Sequence, residues 1–197
     1  MHMQRYAIQT ATRITHNLGE RDRYSEYHAR RVSRYSWRLA RRLGLSREEA
    51  ADIRTAGLLH DIGKIRFSTR VFRNVAEQPS KSILKQIKKH PETGKTMLAN
   101  LNFPPRIIDS VYAHHEREDG TGYPRGITGE KIPLGAKIIG IADTFDALVT
   151  DRPYQKGRPL DEAFLVMRKL SGSSLDPVLV EAFIAEIEAG GMENPRP

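Results

Sequence analysis

The sequence contains no cysteine in 197 residues. Disulfides, thiolate metal sites and a cysteine nucleophile are therefore excluded, so any chemistry must come from histidine, carboxylate, hydroxyl and lysine groups. Tryptophan occurs once and aromatic residues make up 7%. No apolar run approaches the about 20 residues needed to span a bilayer. Met1 to Arg5 lack the apolar core of a signal peptide, and a cytoplasmic chain is expected. Internal repeats, low-complexity tracts and the alternation of a half-buried strand are also missing. Acidic residues are the minority, with 24 Asp and Glu against 32 Lys and Arg, a net charge of +8 and a pI of 9.8. That balance attracts anions, whether nucleic acid, anionic lipid or phosphorylated small molecules, without choosing among them.

With 39% hydrophobic and 28% charged residues, the chain is long enough to bury a core unaided. Nearly every segment reads as helix. Apolar positions recur at helical spacing over 3–18, 24–43 and 46–59, the last helix running on into His60-Asp61. Gly44 closes the second of these, and Ser46 with Glu48 and Glu49 opens the third. Pro79-Ser80 and Pro91 start further helices, Pro104-Pro105 breaks the latter, and another runs from Ile107 to about His115. A Gly- and Pro-rich loop from Asp119 to Pro133 follows, then helices over 134–150, 160–170 and 177–188. The expected class is all-α, a multi-helix bundle with that loop near the functional site. Residues 1–19 read as a connector or dimer-contact helix, 20–190 as the functional domain and 191–197 as a tail. The arginines at 30, 31, 34, 38, 41 and 42 spread over a wide arc and read as a solvated face.

Five of the seven histidines, His28, His60, His90, His114 and His115, lie on or at the ends of expected helices beside apolar positions. One such residue is ordinarily a satisfied core or surface histidine. Five, in a chain without cysteine, point to metal, since neutral imidazole is the commonest metal ligand. Leu58-Leu59-His60-Asp61-Ile62-Gly63-Lys64 carries an acid into an apolar stretch, where an unpaired carboxylate is costly. A cation removes that cost, although the dipeptide alone would read as a local pair or a helix cap. Ile141-Ala142-Asp143 repeats the pattern, with Asp146 on nearly the same face. After His114-His115-Glu116, Gly120 and Gly122 allow close backbone approach and Tyr123 offers a ring and a hydroxyl. In an ordinary turn, Glu116 and Asp119 would be solvated.

Taken together, HDIGK at 60–64, HPETG at 90–94, HHEREDGTGYPRGITGEKIP at 114–133 and IADTFDALVTDRPY at 141–154 resemble the HD-GYP domain of the HD phosphohydrolase superfamily. The resemblance spans about residues 20 to 186. It implies a cyclic di-GMP phosphodiesterase producing pGpG, GMP or both, with a metal-bridging hydroxide as nucleophile. By motif, His28, His60, Asp61 and Asp143 would bind one divalent ion, and Asp61 would bridge to a second held by His90, His114 and His115. Lys64 and Asp61 would be the catalytic residues, and Lys64, Tyr123, Asp146 and Arg152 the substrate contacts. Tyr24 stands where some members carry a further metal-binding glutamate, which implies a two-ion site. The resemblance implies iron or manganese first; nitrogen and oxygen ligands suit nickel, cobalt or zinc equally. Gln155 replaces a commonly basic residue, and the segment 66–80 departs from the family pattern.

The alternative is a weak or inactive module that binds cyclic di-GMP or a signalling protein without turnover. A hydrolase for another phosphorylated nucleotide ranks below it, and binding of a nucleic-acid polymer ranks last. A homodimer through the first helix and signalling partners are further expectations.

Overall fold

In the computed structural model, the described residues are 23–67, 80–151 and 156–190. The expected helix over 1–19, Arg152 and the tail 191–197 lie outside them. The described residues form an all-α assembly of α1 (Arg23–Arg42), α2 (Arg47–Leu59), α3 (Lys81–Ile87), α4 (His90–Asn100), α5 (Pro105–Ala113), α6 (Leu134–Val149), α7 (Leu160–Leu170) and α8 (Pro177–Ala189). Two short 3-10 turns, Ile62–Arg66 and Gly129–Lys131, complete it. No strand forms among the described residues; one isolated bridge joins Ser171 and Leu175. None of these helices is long and apolar enough to cross a membrane.

Local signals set most boundaries. Gly44 adopts φ 77°, a left-handed conformation that ends α1 at little steric cost. Ser46 and Glu49 form a reciprocal capping box at the start of α2. Ser80 caps α3 through the Ile83 amide. Asp176 caps α8 by accepting from Val178 and Leu179, and Pro177 supplies the first turn. The helix read into the His60-Asp61 pair stops one residue earlier: His60 is the C-cap of α2, and Asp61 opens the 3-10 turn. The pair therefore sits at a corner, where the two side chains diverge from the ladder.

α6 is the central helix. Ile138, Ile139, Ile141, Ala142 and Phe145 are fully buried, and α1, α2, α5, α7 and α8 pack around it. Tyr35 of α1 meets Phe145 edge-on at 5.2 Å, and Phe183 of α8 meets Phe145 at 5.0 Å. Truncating Phe183 to alanine is expected to cost about 3–5 kcal/mol, measured by denaturant unfolding, because it leaves a cavity in this aromatic junction. A cost under ~1 kcal/mol would contradict the packing.

The arginines of α1 are not all solvated. Arg31 pairs with buried Asp146, and Arg38 with Glu186 of α8 at 2.9 Å. They bind α1 to α6 and α8, while Arg30, Arg34 and Arg41 do face solvent.

Candidate metal centre

Three helix ends and two helix faces converge on a cluster of five histidines and two aspartates. His28 comes from α1, His60 and Asp61 from the corner after α2, and His90 from the start of α4. His114 and His115 follow α5, and Asp143 projects from α6. Potential ligand atoms fall into two groups, His28, His60 and Asp143, and Asp61, His90, His114 and His115, each with its atoms within 4.8 Å of one another. Asp61 faces both groups. Its Oδ2 lies 3.3 Å from His60 Nε2, and its Oδ1 lies 3.3 Å from His90 Nε2.

Hydrogen bonding aims four of the imidazoles. His60 Nδ1 lies 2.8 Å from the Gly57 carbonyl, His90 Nδ1 2.8 Å from the Ile87 carbonyl, and His114 Nδ1 2.6 Å from the Val111 carbonyl. His28 Nδ1 lies 2.8 Å from Asp146 Oδ2. A carbonyl or carboxylate oxygen only accepts, so each Nδ1 donates, and in the neutral imidazole each Nε2 carries a bare lone pair. Two of these lone pairs face one another, His90 Nε2 and His114 Nε2 at 3.2 Å; His28 Nε2 lies 3.3 Å from His60 Nε2 and 3.2 Å from Asp143 Oδ1. Asp61 Oδ1 is buried with no hydrogen-bond donor. Acceptors pointed at acceptors inside a protein are unfavourable unless a cation lies between them. The donor set fits divalent metal on this ground.

The electrostatics agree. Burial drives the His90 pKa down to about 3 and that of His115 to about 4, and pushes His114 well below its ordinary value. These rings stay neutral, as ligands must. Burial would lower His28 too, but the Asp143 and Asp146 carboxylates outweigh it and raise the pKa to about 9. Burial would raise Asp61, yet His60 and Lys64 hold its carboxyl well below the usual range. Lys64 Nζ lies 2.5 Å from Asp61 Oδ2, and its half-buried side chain borders the cluster.

His115 is positioned differently. Neither of its ring nitrogens has a hydrogen bond among the described residues, and Tyr123 stacks on it at 4.7 Å with planes 29° apart. Burial, with Asp61 and Asp143 nearby, pushes the Tyr123 phenol above its ordinary pKa. The hydroxyl therefore stays protonated, a donor at the edge of the cluster.

All seven expected ligands converge, and Lys64 and Tyr123 adjoin them. Asp146 is a correction. The sequence reading sets it against substrate, but it is fully buried. It lies behind His28, taking the ring's Nδ1–H on Oδ2 and the Arg31 guanidinium on Oδ1. Asp146→Asn is expected to weaken divalent-metal binding 10–100-fold, measured by metal titration. Unchanged affinity would assign Asp146 to stability alone.

Glu116 was not legible as a site residue. Rather than being solvated, it is buried and accepts the amides of Arg125 and Ile127 at 2.7 and 3.1 Å. It thereby folds the loop carrying Tyr123 back over the cluster. A Cβ at Gly122 would strike the backbone of His115, Glu116 and Arg117, so this close return needs glycine. Gly63 similarly lets the 3-10 turn lie against the His90 carbonyl.

A family model described as an HD domain matches residues 17–179. The chain is 39% identical over 168 residues to a cyclic di-GMP phosphodiesterase of Thermotoga maritima, covering 83% of this chain and 45% of that protein. It is 36% identical over 157 residues to a 3'3'-cGAMP-specific phosphodiesterase of Vibrio cholerae, covering 78% of this chain and 33% of that protein. The chain thus spans less than half the length of these curated relatives. Among solved structures it is similar to an HDG"Y"P protein of Bdellovibrio bacteriovorus, with a TM-score of 0.67 and 23% identity over 82% of this chain and 51% of that one.

Proposed function

Because this chain belongs to the HD domain family, in the HD-GYP branch that its motifs mark, we propose that it is a metal-dependent phosphodiesterase acting on cyclic di-GMP, with pGpG, GMP or both as product. The observation that carries this reading is the pair of ligand groups joined through Asp61, with the bare imidazole nitrogens of His90 and His114 facing one another and a buried carboxylate oxygen lacking a donor. His28, His60, Asp61 and Asp143 would hold one ion, and Asp61, His90, His114 and His115 a second. Iron or manganese suits this nitrogen and oxygen set, as do nickel, cobalt and zinc.

Bound divalent ions would supply Lewis acidity and make a water nucleophilic near neutral pH. The chain's own groups do the rest. Asp61 orders the two halves of the cluster. Lys64, held beside Asp61, is placed to offset charge building on the phosphoryl oxygens or on the departing oxygen. Tyr123 offers its retained phenolic proton as a hydrogen-bond donor to the substrate. The basic surplus of the chain favours approach of a dianion.

The test is elemental analysis of anaerobically purified protein, with turnover measured on the same sample. Two ions per chain with pGpG or GMP formed supports the proposal, and the panel includes 3'3'-cGAMP because one relative is named for it. Two ions with binding but no product would favour a signalling module without turnover. No metal after reconstitution would overturn the ligand assignment.

A further inference from the structure

We propose that Lys88 is a substrate-binding residue that takes the phosphate of a cyclic dinucleotide not held at the ligand cluster; this rests on the reading of the site as a cyclic-dinucleotide phosphodiesterase. Lys88 is the C-cap of α3, its backbone fixed by hydrogen bonds to the carbonyls of Leu84 and Gln86. It stands two residues before His90. Its ammonium lies over the Tyr123 ring, 5.3 Å from the centroid, and that ring stacks on His115. A continuous run of His115, Tyr123 and Lys88 thus leads from the cluster out to solvent.

The ammonium is exposed, and among the described residues it has no carboxylate within ion-pair distance. Three other cations are already engaged. Lys64 is paired with Asp61, Arg31 with Asp146 and Lys137 with Glu118 and Asp176. Lys88 is an uncompensated positive charge that lies directly over the Tyr123 ring. A cyclic dinucleotide carries two phosphodiesters. With one at the cluster beside Lys64, the other leaves along the substrate's own ring and needs a cation outside the ligand groups. A lysine ammonium on a flexible stem suits a phosphate whose orientation is set elsewhere.

The experiment compares wild type, Lys88→Met and Lys88→Arg, each loaded with manganese, on cyclic di-GMP and on bis(p-nitrophenyl) phosphate, which has a single phosphodiester. Binding of cyclic di-GMP is measured in parallel by calorimetry. Methionine keeps the apolar stem, so contact with Tyr123 is preserved while the charge is lost. The expected result is a KM and Kd for cyclic di-GMP raised about tenfold or more in Lys88→Met, with kcat within about twofold, and largely restored in Lys88→Arg. KM for the small substrate and metal content stay at wild-type values. Equal losses on both substrates would mean that Lys88 supports the cluster and not the second phosphate, and would overturn the proposal. So would a Lys88→Met protein with wild-type KM and Kd, which would leave the phosphodiesterase reading standing. A wild-type chain that cleaves only the small substrate and does not bind cyclic di-GMP would overturn both.

Discussion

Replacing Asp61 by asparagine is expected to lower cyclic di-GMP turnover by on the order of 10³-fold or more and to reduce bound metal below two ions per chain. The two oxygens of this side chain do different things. Oδ2 faces His60 and Lys64, and Oδ1 faces His90. Asparagine keeps the volume but presents an amide N–H₂ to one side, where it would point hydrogens at a lone pair or a cation. It also removes a negative charge that would offset the proposed divalent ions in a buried site. The fold should survive, because the change is isosteric and Lys64 retains access to solvent. Metal content and single-turnover rate are the measurements. An Asp61→Asn protein that keeps two ions and cleaves within tenfold of wild type would refute the bridging role.

Loading the metal-free protein with manganese should raise its melting temperature by roughly 8–16 °C. A ligand that binds only the folded state at about 1,000 times its Kd contributes about 4.1 kcal/mol, and a domain of this size gains about 2–4 °C per kcal/mol. The site gives the reason for so large an effect. His90 faces His114 through acceptor atoms, and Asp61 Oδ1 lacks a donor. A cation would satisfy these buried groups where α2, α4 and α5 meet. Differential scanning fluorimetry with chelator and with added manganese measures it. A melting temperature that does not move would mean that these groups are satisfied without metal.

Much of this molecule is legible in its sequence because the decisive signals are local. Gly44, the Ser46 and Glu49 pair, Pro91, Pro105 and Asp176-Pro177 each fix a helix boundary within a turn, and the helices begin and end close to where those residues put them. Five histidines beside apolar positions in a chain without cysteine point to metal for a different reason, since so many demand a common explanation; the set of seven candidate ligands follows from the motif resemblance. What sequence spacing does not settle is which side of a ligand an acid serves. Asp143 and Asp146 share a face of α6, but α1, 118 residues away in the chain from Asp146 to His28, decides that Asp143 faces the cluster and Asp146 stands behind it. Glu116 is obscured similarly. Its partners are the amides of Arg125 and Ile127, and no side-chain pattern announces backbone donors. The linkage of Lys137 to Glu118 and Asp176 also depends on how the loop and α8 meet α6.

The manner in which the histidines are aimed divides the proposed ion pair into unequal halves. His28 and His60 are braced from behind by a carboxylate and by a carbonyl of the ring's own helix, as are His90 and His114 by carbonyls. His115 has no such brace among the described residues and leans on Tyr123, which belongs to a loop. The first ion would therefore sit among ligands fixed by helices. The second would depend on one ring whose only support is a loop residue. Its occupancy would then respond to whatever presses on Tyr123.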